Sequence, residues 1–499
     1  MCGIVGIADA GGVSFSLYHA LYALQHRGQE SAGISTYADG CFYKHKGQGL
    51  VGEVFDQAVL QGLAGNVGVG HVRYPTTGAN LPENTQPFNF RFRDHFFAIA
   101  HNGNLVNAAQ LRADYEQAGE IYSTTTDTEV IASVIVDEYR KGHSIQDAIV
   151  LCMHKLRGSY SVVLMVDDEL YAFRDPLGIK PLCFGSTPGG HVVASESVAI
   201  DVLGGTLIRD VRPGEMLRLT PDGFDSLQIT LADRPAHCIF EFIYFARADA
   251  VLEDRLVYDV RRQIGASLYD EAPAQADIVS PVPDSGTSIA IGFAHHSGIP
   301  YLEALMKNRY MGRTFIKPSQ KERETAVRIK LNPITGHIAD KSIVLVDDSI
   351  VRGTTSRHIV DLMKESGARE VHVRIGSPPI KAPCYLGVDM PTREELIASD
   401  KEIPQVRESI NATTLHHITL DALVQAIGLP REHLCTGCLT GGYPVPIEGE
   451  SCLARIVDFV GGTYQTKLGA FRGEGKGPKG KRGSSAKAVP AKGSKVKKT

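Results

Sequence analysis

The segment between residues 343 and 375 constrains the fold of this chain more than any other. Residues 343–346 form a continuous run of β-branched and apolar side chains, which is typical of a strand covered on both faces. A segment with apolar residues along one side follows and stops near Gly367, and residues 371–375 read as a second strand. This succession predicts a βαβ unit, and therefore a parallel sheet within an α/β domain.

Two adjacent acids stand at the end of the first of these strands. Asp347 and Asp348 suit ribose hydroxyls or a hydrated Mg²⁺, and open α/β sheets bind ligands at this end of the strands. Gly353 lets the backbone approach an anion, and the start of the next helix suits a phosphate. By themselves, two acids before a helix would indicate an ordinary loop. The whole string over residues 344–355 resembles the phosphoribosyl pyrophosphate (PRPP) motif of type I phosphoribosyltransferases. The resemblance implies PRPP contacts from Asp347, Asp348, Ser349, Arg352, Gly353, Thr354 and Thr355.

Two further segments fit this family. Residues 277–283 predict a strand that ends in a short polar loop, before a helix that begins near Ser288. Residues 307–330 are rich in Lys and Arg, which usually indicates a solvated loop, but in the resembling family such a segment is a lid that closes over PRPP and excludes water. The PRPP contacts implied here are Asp284, Ser285, Lys307 and Arg309. The implied ligands of one Mg²⁺ per subunit are Ser285, Asp347 and Asp348.

The opposite end of the chain carries a different chemistry. Methionine aminopeptidase removes Met1 when the next residue is small, so we expect the mature chain to begin with Cys2. An α-amino group has a pKa of about 7.7–8.0 and can accept the thiol proton, which produces the reactive thiolate. The alternative is an incidental cysteine at the start of a buried strand. Residues 4–8 predict a strand directly after Cys2 rather than a frayed terminus.

Three short motifs supply the polar groups that an amide-cleaving cysteine needs. They lie at residues 71–76, 101–104 and 124–129, and residues 25–30 fit the same pattern. In this order behind an N-terminal cysteine they resemble the class II glutamine amidotransferases, which implies an αββα sandwich of the Ntn-hydrolase type. An oxyanion-hole donor in such a site is worth about 10²–10³ in rate. The implied catalytic residues are Cys2, Asn102 and Gly103. The implied glutamine-binding residues are Arg73, Asp127, Arg27 and Gly28.

Residues 2–460 combine both patterns and resemble the glutamine phosphoribosylpyrophosphate amidotransferases. The family implies a pentosyltransferase that hydrolyses glutamine, passes the ammonia internally, and converts PRPP to 5-phosphoribosylamine and pyrophosphate in the first step of de novo purine synthesis. It also implies feedback inhibition by purine nucleotides and a homotetramer. The expected domains are a glutaminase over 2–235, a phosphoribosyltransferase over 236–470, and a disordered basic tail over 471–499.

The cysteines predict a further cofactor. A Cys-x-x-Cys pair at residues 435 and 438 could by itself bind zinc, act as a redox pair or be coincidental. One branch of the resembling family carries a [4Fe–4S] cluster held by four cysteines, and this implies one structural cluster per subunit, with zinc in the same site as the alternative. The implied ligands are Cys238, Cys384, Cys435 and Cys438. We expect Cys41, Cys152, Cys183 and Cys452 to be small buried hydrophobes.

Charge and hydropathy limit the cellular context. Ten of the 52 Lys and Arg residues, but a single Glu, fall within residues 471–499, and a Gly-, Ser- and Lys-rich segment cannot bury enough apolar surface to fold. We expect no specific nucleic-acid binding from it. No apolar run reaches the roughly 20 residues of a membrane span, and no signal peptide is recognisable. The sequence therefore predicts a cytoplasmic protein without membrane contact.

Two other functions compete with this interpretation. Other class II amidotransferases combine the N-terminal domain with sugar isomerase or synthetase partners, but the motif at residues 344–356 argues against those. A non-catalytic PRPP sensor that binds nucleic acid would agree with the basic tail, but it would have no need of Cys2. Glutamine-dependent transfer to PRPP accounts for both motifs.

Overall fold

The computed structural model describes residues 1–74, 81–230, 232–308, 331–390, 392–447 and 450–452. Its first half is built from antiparallel strands. In chain order these are β1 (Gly3–Asp9), β2 (Ser31–Ala38), β3 (Cys41–Gln48), β4 (Val67–Arg73), β5 (Phe88–Phe92), β6 (His95–Leu105), β7 (Gly158–Val166), β8 (Glu169–Arg174), β9 (Cys183–Thr187), β10 (Gly190–Ala194), β11 (Thr206–Asp210), β12 (Glu215–Thr220) and β13 (Gly223–Gln228). The helices are α1 (Ser14–Ala23), α2 (Val51–Val54), α3 (Gln57–Gly62), α4 (Ala108–Gln117), α5 (Asp127–Arg140), α6 (Ile145–Lys155) and α7 (Val198–Asp201).

These strands form two stacked sheets. One has the order β11-β9-β10-β1-β4-β2-β3, and the other has the order β13-β12-β8-β7-β6-β5. Successive side chains of β1 point to opposite faces of the sheet and so belong to two cores. Ile4 and Ala8 pack between the sheets, while Val5 and Ile7 pack on the side of α1. On the far side, α5 and α6 cover the second sheet, with Ile135 among the core residues. The predicted αββα sandwich is therefore confirmed.

The second half contains a parallel sheet. Its strands are β14 (His237–Cys238), β15 (Val251–Leu252), β16 (Arg255–Leu256), β17 (Ile278–Pro281), β18 (Leu305–Lys307), β19 (Leu331–Pro333), β20 (Ser342–Asp347), β21 (Glu370–Ile375), β22 (Thr414–His417), β23 (Leu434–Cys435), β24 (Gly442–Tyr443) and β25 (Ser451–Cys452). The helices are α8 (Val257–Glu271), α9 (Thr287–Ser297), α10 (Thr335–Ile338), α11 (Thr354–Glu365), α12 (Ile403–Ser409), α13 (Leu420–Ile427) and α14 (Gly437–Thr440). Strands β17-β20-β21-β22 lie side by side and all run parallel.

The βαβ prediction is confirmed in detail by β20, α11 and β21. Val344 and Val346 belong to the core formed with α8 and α9, while Ile343 and Leu345 belong to the core under α11. The central strand is thus apolar on both faces because helices cover both faces. The strand predicted over residues 277–283 is shorter in the structure, where β17 spans only Ile278–Pro281.

Residues 1–460 form one unit of contacts and residues 461–499 a second, which lies outside the described residues. The boundary at residue 235 stays a prediction, although the last sandwich strand ends at Gln228. Cys152 and Cys183 are buried as expected, but Cys41 is exposed where β3 leaves the hairpin turn, so that prediction was wrong. The side chain of Cys452 is not described. Among the described residues, no helix is long and apolar enough to cross a membrane.

Candidate active sites

Cys2 lies at the start of β1, next to strand β6 of the other sheet. Its backbone N–H donates to side-chain Oδ1 of Asn102 at 3.0 Å, and its carbonyl oxygen accepts from Nε of Arg27 at 3.0 Å. The residue is buried, and its thiol Sγ lies 3.5 Å from the carbonyl oxygen of Tyr74. Side chains from two other elements therefore fix both backbone polar groups of Cys2, and this orients the thiol.

Asn102 and Gly103 adjoin this cysteine on β6. The side-chain nitrogen Nδ2 of Asn102 is buried and has no hydrogen-bond partner in the described part of the chain. A buried donor left unsatisfied costs about 1–3 kcal/mol, so it is expected to serve a ligand. Gly103 has a φ of +156°, and a Cβ there would lie 2.1 Å from the carbonyl oxygen of Ser159. Only glycine therefore fits at position 103, next to the side-chain nitrogen of Asn102.

Asp127, the first residue of α5, is tied to the strand that carries Asn102. Its carboxylate accepts from the N–H of Leu105 at 3.0 Å and lies 3.4 Å from Nδ1 of His101. Burial raises the pKa of Asp127, but the charge of His101 and the hydrogen bonds outweigh burial and hold the pKa below its ordinary value. The carboxylate therefore stays ionised, as binding of an α-ammonium group requires. His101 was not among the predicted site residues.

Arg73 ends β4 and is buried beside the turn that contains Gly28. A Cβ on Gly28 would lie 2.5 Å from the carbonyl of Val72 and 2.6 Å from the backbone nitrogen of Arg73. Val72 in turn pairs with Gly3, the neighbour of Cys2, across β4 and β1. The two predicted glutamine-binding segments thus lie side by side, next to the cysteine.

Arg27 belongs to a buried ionic network that the sequence did not predict. Its guanidinium donates to both carboxylate oxygens of Glu241, at 2.8 and 3.0 Å, and also to Glu196. Glu196 is hydrogen-bonded to His26 at 2.8 Å as well. Burial raises the pKa of Glu196, but His26 and Arg27 lower it to about 2. These contacts occupy the guanidinium behind Cys2, and the contact between Arg27 and glutamine stays a prediction.

Asp347 and Asp348 lie at the C-terminal edge of the parallel sheet. The N–H of Asp348 donates to Oδ1 of Asp347 at 2.9 Å, and the hydroxyl of Ser349 donates to Asp348 at 2.6 Å. Burial and the charge of Asp348 raise the pKa of Asp347 well above its ordinary value. No cationic side chain among the described residues pairs with either carboxylate. Two such acids are a suitable donor set for a divalent cation.

The N-termini of two helices approach the same edge. Gly353 precedes α11 with a φ of +76°, and a Cβ there would lie 2.4 Å from the side chain of Ile397. Gly286 precedes α9, and a Cβ on it would lie 2.4 Å from the carbonyl oxygen of Val346. The loop that carries Asp284 and Ser285 therefore packs against the residue before Asp347, and the helix N–H groups of Thr354 and Thr355 begin beside it.

Three predicted PRPP contacts form ion pairs with other side chains in this structure. Lys307 pairs with Asp284, which neutralises two members of the predicted set. Arg352 is exposed and pairs with Glu395 at 2.7 Å, so contact with PRPP requires that ion pair to open. Arg309 and residues 310–330 of the predicted lid lie outside the described residues.

The four cysteines predicted to hold a cluster line one small cavity. Cys238 on β14 pairs in register with Cys435 on β23, Cys438 lies in α14, and Cys384 follows β21. Burial raises the pKa of Cys238 to about 11, and it also raises the pKa values of Cys435 and Cys438. Such thiols ionise when a cation is bound between them. Lys180 also lines this cavity.

The spacing of these sulfurs bears on the kind of centre. Nowhere in the described ranges do three His, Cys, Asp or Glu side chains converge closely enough to hold one metal ion. A Cys₄ zinc site needs all four sulfurs within about 2.3 Å of a single ion. All four cysteines line the same cavity, and four cysteine ligands are what a [4Fe–4S] cluster requires, so the residue types fit such a cluster.

Comparison with known proteins supports both halves of the site. Residues 71–202 match the family model described as a glutamine amidotransferase domain. The chain is 50% identical over 452 residues to the amidophosphoribosyltransferase of Methanothermobacter thermautotrophicus, covering 90% of this chain and 95% of the relative. It is 43% identical over 465 residues to that of Bacillus subtilis, covering 92% of this chain and 97% of the relative.

The fold agrees over the same length. The solved structure of glutamine PRPP amidotransferase from B. subtilis complexed with ADP and GMP superposes with a TM-score of 0.84 at 44% identity, covering 91% of this chain and 99% of that one. Identity at this level extends through the Cys2 sandwich and the Asp347–Asp348 sheet alike. The chain therefore belongs to the amidophosphoribosyltransferases, the glutamine-dependent pentosyltransferases of the first step of de novo purine biosynthesis.

Proposed function

We propose that this chain forms 5-phosphoribosylamine from glutamine and PRPP, with Cys2 as the nucleophile that releases ammonia. One observation carries the assignment: the amide of Asn102 holds the backbone of Cys2 through Oδ1 at 3.0 Å and keeps its own Nδ2 unpaired among the described residues. A single side chain thus orients the nucleophile and offers a donor to the negative charge that develops on the substrate.

Glutamine hydrolysis begins with proton transfer from the thiol. Removal of Met1 gives Cys2 a free α-amino group, whose ordinary pKa of about 7.7–8.0 lets its neutral form accept the thiol proton. The thiolate attacks the amide carbon, the tetrahedral oxyanion accepts hydrogen bonds from Asn102 and Gly103, and ammonia departs to leave a thioester that water hydrolyses to glutamate.

Arg73 and Asp127 are the charged residues proposed to bind glutamine. Arg73 presents a planar guanidinium suited to the α-carboxylate of glutamine, and the ionised Asp127 suits its α-ammonium group. Both residues are buried, so these charges act in a low dielectric. The backbone of Gly28 completes the wall beside Arg73.

The second reaction occurs at the parallel sheet. The 5-phosphate of PRPP suits the N–H groups and hydroxyls at the start of α11, and the pyrophosphate suits the loop of Asp284 and Ser285. Asp347 and Asp348, with Ser285, would hold one Mg²⁺, which supplies positive charge to the departing pyrophosphate. Ammonia attacks carbon 1 as the carbon–oxygen bond to pyrophosphate breaks. Mg²⁺ usually uses only one or two carboxylates together with substrate oxygens and water, which agrees with the pair of Asp347 and Asp348.

We further propose one [4Fe–4S] cluster per subunit, held by Cys238, Cys384, Cys435 and Cys438, with zinc as the alternative. The shared cavity supports it. Its role would be to tie together segments that are distant in sequence. Anaerobic protein should show a shoulder near 410 nm and acid-labile sulfide; a colourless, iron-free protein from the same preparation would contradict the cluster.

Assembly and regulation complete the proposal. We propose that purine nucleotides inhibit this enzyme, because the similar B. subtilis enzyme was solved with ADP and GMP. We also propose the homotetramer that the family resemblance implies. Light scattering on purified protein tests the tetramer. Titration of the synthetic reaction with GMP and ADP tests the inhibition.

The deciding experiment combines N-terminal mass analysis with an assay of Cys2→Ala. We expect a chain that begins at Cys2, PRPP-dependent release of glutamate from glutamine, and a loss of at least about 10⁴-fold in Cys2→Ala, as for other nucleophiles. Ammonia-dependent synthesis should persist. Cys152→Ala, a buried cysteine of the same half, is the control. Full glutamine-dependent activity in Cys2→Ala, or in protein that retains Met1, would refute the mechanism.

A further inference from the structure

Lys180 is a fully buried cation between the cysteine cavity and the start of the chain. It lies in the loop between β8 and β9, and its side chain is inaccessible to solvent. Its carbonyl oxygen accepts from Nε of Arg174 at 2.7 Å and from the hydroxyl of Ser161 at 3.2 Å, so the backbone is fixed from two sides. The ammonium nitrogen Nζ lies 2.7 Å from Sδ of Met1, and Lys180 lines the cavity that the four cysteines also line.

The protein supplies no carboxylate to this ammonium group. Across the described ranges Lys180 forms no salt bridge, and its polar side-chain contact is the thioether of Met1, which is a weak acceptor. The carboxylate of nearby Glu241 is already held by Arg27. A buried charge without an opposite charge costs several kcal/mol even after relaxation. A fold that keeps this lysine must therefore offset its charge with a group that the cavity contains.

The cysteines are the groups in reach. Lys180 and all four cysteines line the same small cavity, so its ammonium group can offset the charge of their thiolates. Four thiolates carry more negative charge than one divalent ion can balance. The net charge of a cluster is also one of the factors that set its reduction potential. A cation in the wall of the cavity compensates such an excess.

We propose that Lys180 is the countercharge of the cysteine centre: its buried ammonium group stabilises the four-thiolate, metal-bound form and the reduced state of a cluster held there. This inference rests on the proposed cysteine centre. After removal of Met1, the cysteine centre would be the remaining partner of the Lys180 ammonium group within the described structure. Lys180 would then be a positioning and charge-balancing residue, outside the glutamine and PRPP chemistry.

The test is Lys180→Met, which fills nearly the same space without a charge. After anaerobic purification, iron and sulfide content, the rate of iron transfer to a chelator, and the midpoint potential followed by electron paramagnetic resonance are compared with wild type. Leaving the buried thiolates without this countercharge is destabilising, so we expect iron transfer to be about tenfold faster or more. The midpoint reduction potential of the cluster in Lys180→Met should become more negative than in wild type. Lys180→Arg should restore slow transfer.

Lys46→Met is the matched control, because Lys46 is another poorly exposed lysine of the same half, whose Nζ donates to the carbonyl oxygens of Thr85 and Pro87. It should behave as wild type. Thermal unfolding checks that each variant folds, and Lys180→Gln replaces Lys180→Met if that variant does not. If a folded variant without the charge shows an unchanged rate of iron transfer and an unchanged midpoint potential, the role of Lys180 is overturned, but the cysteine centre is not. A wild-type protein that takes up neither iron nor zinc would overturn the cysteine centre and, with it, this inference.

Discussion

The two candidate active sites treat buried carboxylates in opposite ways. At the Cys2 site the carboxylates have partners within the chain, since Glu196 and Glu241 bind Arg27 and Asp127 lies 3.4 Å from Nδ1 of His101. Those contacts lower the pKa of Glu196 to about 2 and hold that of Asp127 below its ordinary value. At the parallel sheet, Asp347 and Asp348 face each other, and the pKa of Asp347 is raised well above its ordinary value.

This difference indicates when each site is completed. The Cys2 site is assembled by folding, because its charges balance within the chain and its donors are already aligned. At the Asp347–Asp348 site no cationic side chain of the described chain pairs with either acid, so the proposed cation and substrate would complete it. Stability and activity should therefore respond to substitutions in opposite senses at the two sites, and each of the following experiments tests that contrast.

The largest expected effect is on synthesis in Asp347→Ala. Loss of a carboxylate that is proposed to hold Mg²⁺ would remove several kcal/mol of charge stabilisation, so phosphoribosylamine formation should fall by about 10³-fold or more with either glutamine or ammonia as nitrogen source. Basal glutaminase activity should remain, because the Cys2 site is complete without this residue. Asp361→Ala, on an exposed face of α11, is the control. Equal loss of basal glutaminase activity would show that the two sites are not assembled independently.

Asn102→Ala should have the next largest effect, confined to the other site. Removing one oxyanion donor typically costs about 10²–10³ in kcat for glutamine hydrolysis. Ammonia-dependent synthesis should be preserved. Alkylation of Cys2 by iodoacetamide develops no oxyanion, so its rate should change far less than hydrolysis. Asn89→Ala, whose side chain binds Ser35 and the carbonyl of Pro87, is the control. Unchanged hydrolysis in Asn102→Ala would remove Asn102 from the oxyanion hole.

Sequence patterns predicted the elements of both sites better than their electrostatics. The apolar run at residues 343–346 predicted β20, because burial on both faces leaves a direct trace in composition. The network around Arg27 left almost none, since it joins Glu196 and Glu241, which are remote in sequence and meet only in the tertiary structure. The one available signal was Glu241 within an otherwise apolar segment, because a buried carboxylate requires a buried cation. Lys180 escaped notice for the same reason.

The Arg27 network predicts a loss of stability that depends on pH. A carboxyl whose folded pKa is lowered to about 2 stabilises the protein above its unfolded pKa of about 4.3, and this contribution is lost as the pH falls through the folded value. Glu196→Gln should therefore lower the free energy of unfolding by about 3 kcal/mol at pH 7 and by progressively less between pH 4 and pH 2. Glu215→Gln, which removes a buried partner of Arg209, is a control for stability alone. Only Glu196→Gln should also alter the alkylation rate of Cys2.

Asp347→Asn should have the smallest effect and the opposite sign. A carboxyl whose folded pKa is raised favours the folded state below its unfolded pKa of about 3.9, and this advantage is lost as the pH rises through the folded value. Without ligands, Asp347→Asn should therefore unfold at a temperature up to a few degrees above wild type at pH 7, with the difference disappearing near pH 3. Added Mg²⁺ and PRPP should reverse the order, because ligands at 100 times their Kd stabilise only a competent site, by about 2.7 kcal/mol. A variant less stable than wild type at pH 7 without ligands would show that the acid pair is balanced within the chain, as the carboxylates of the Cys2 site are.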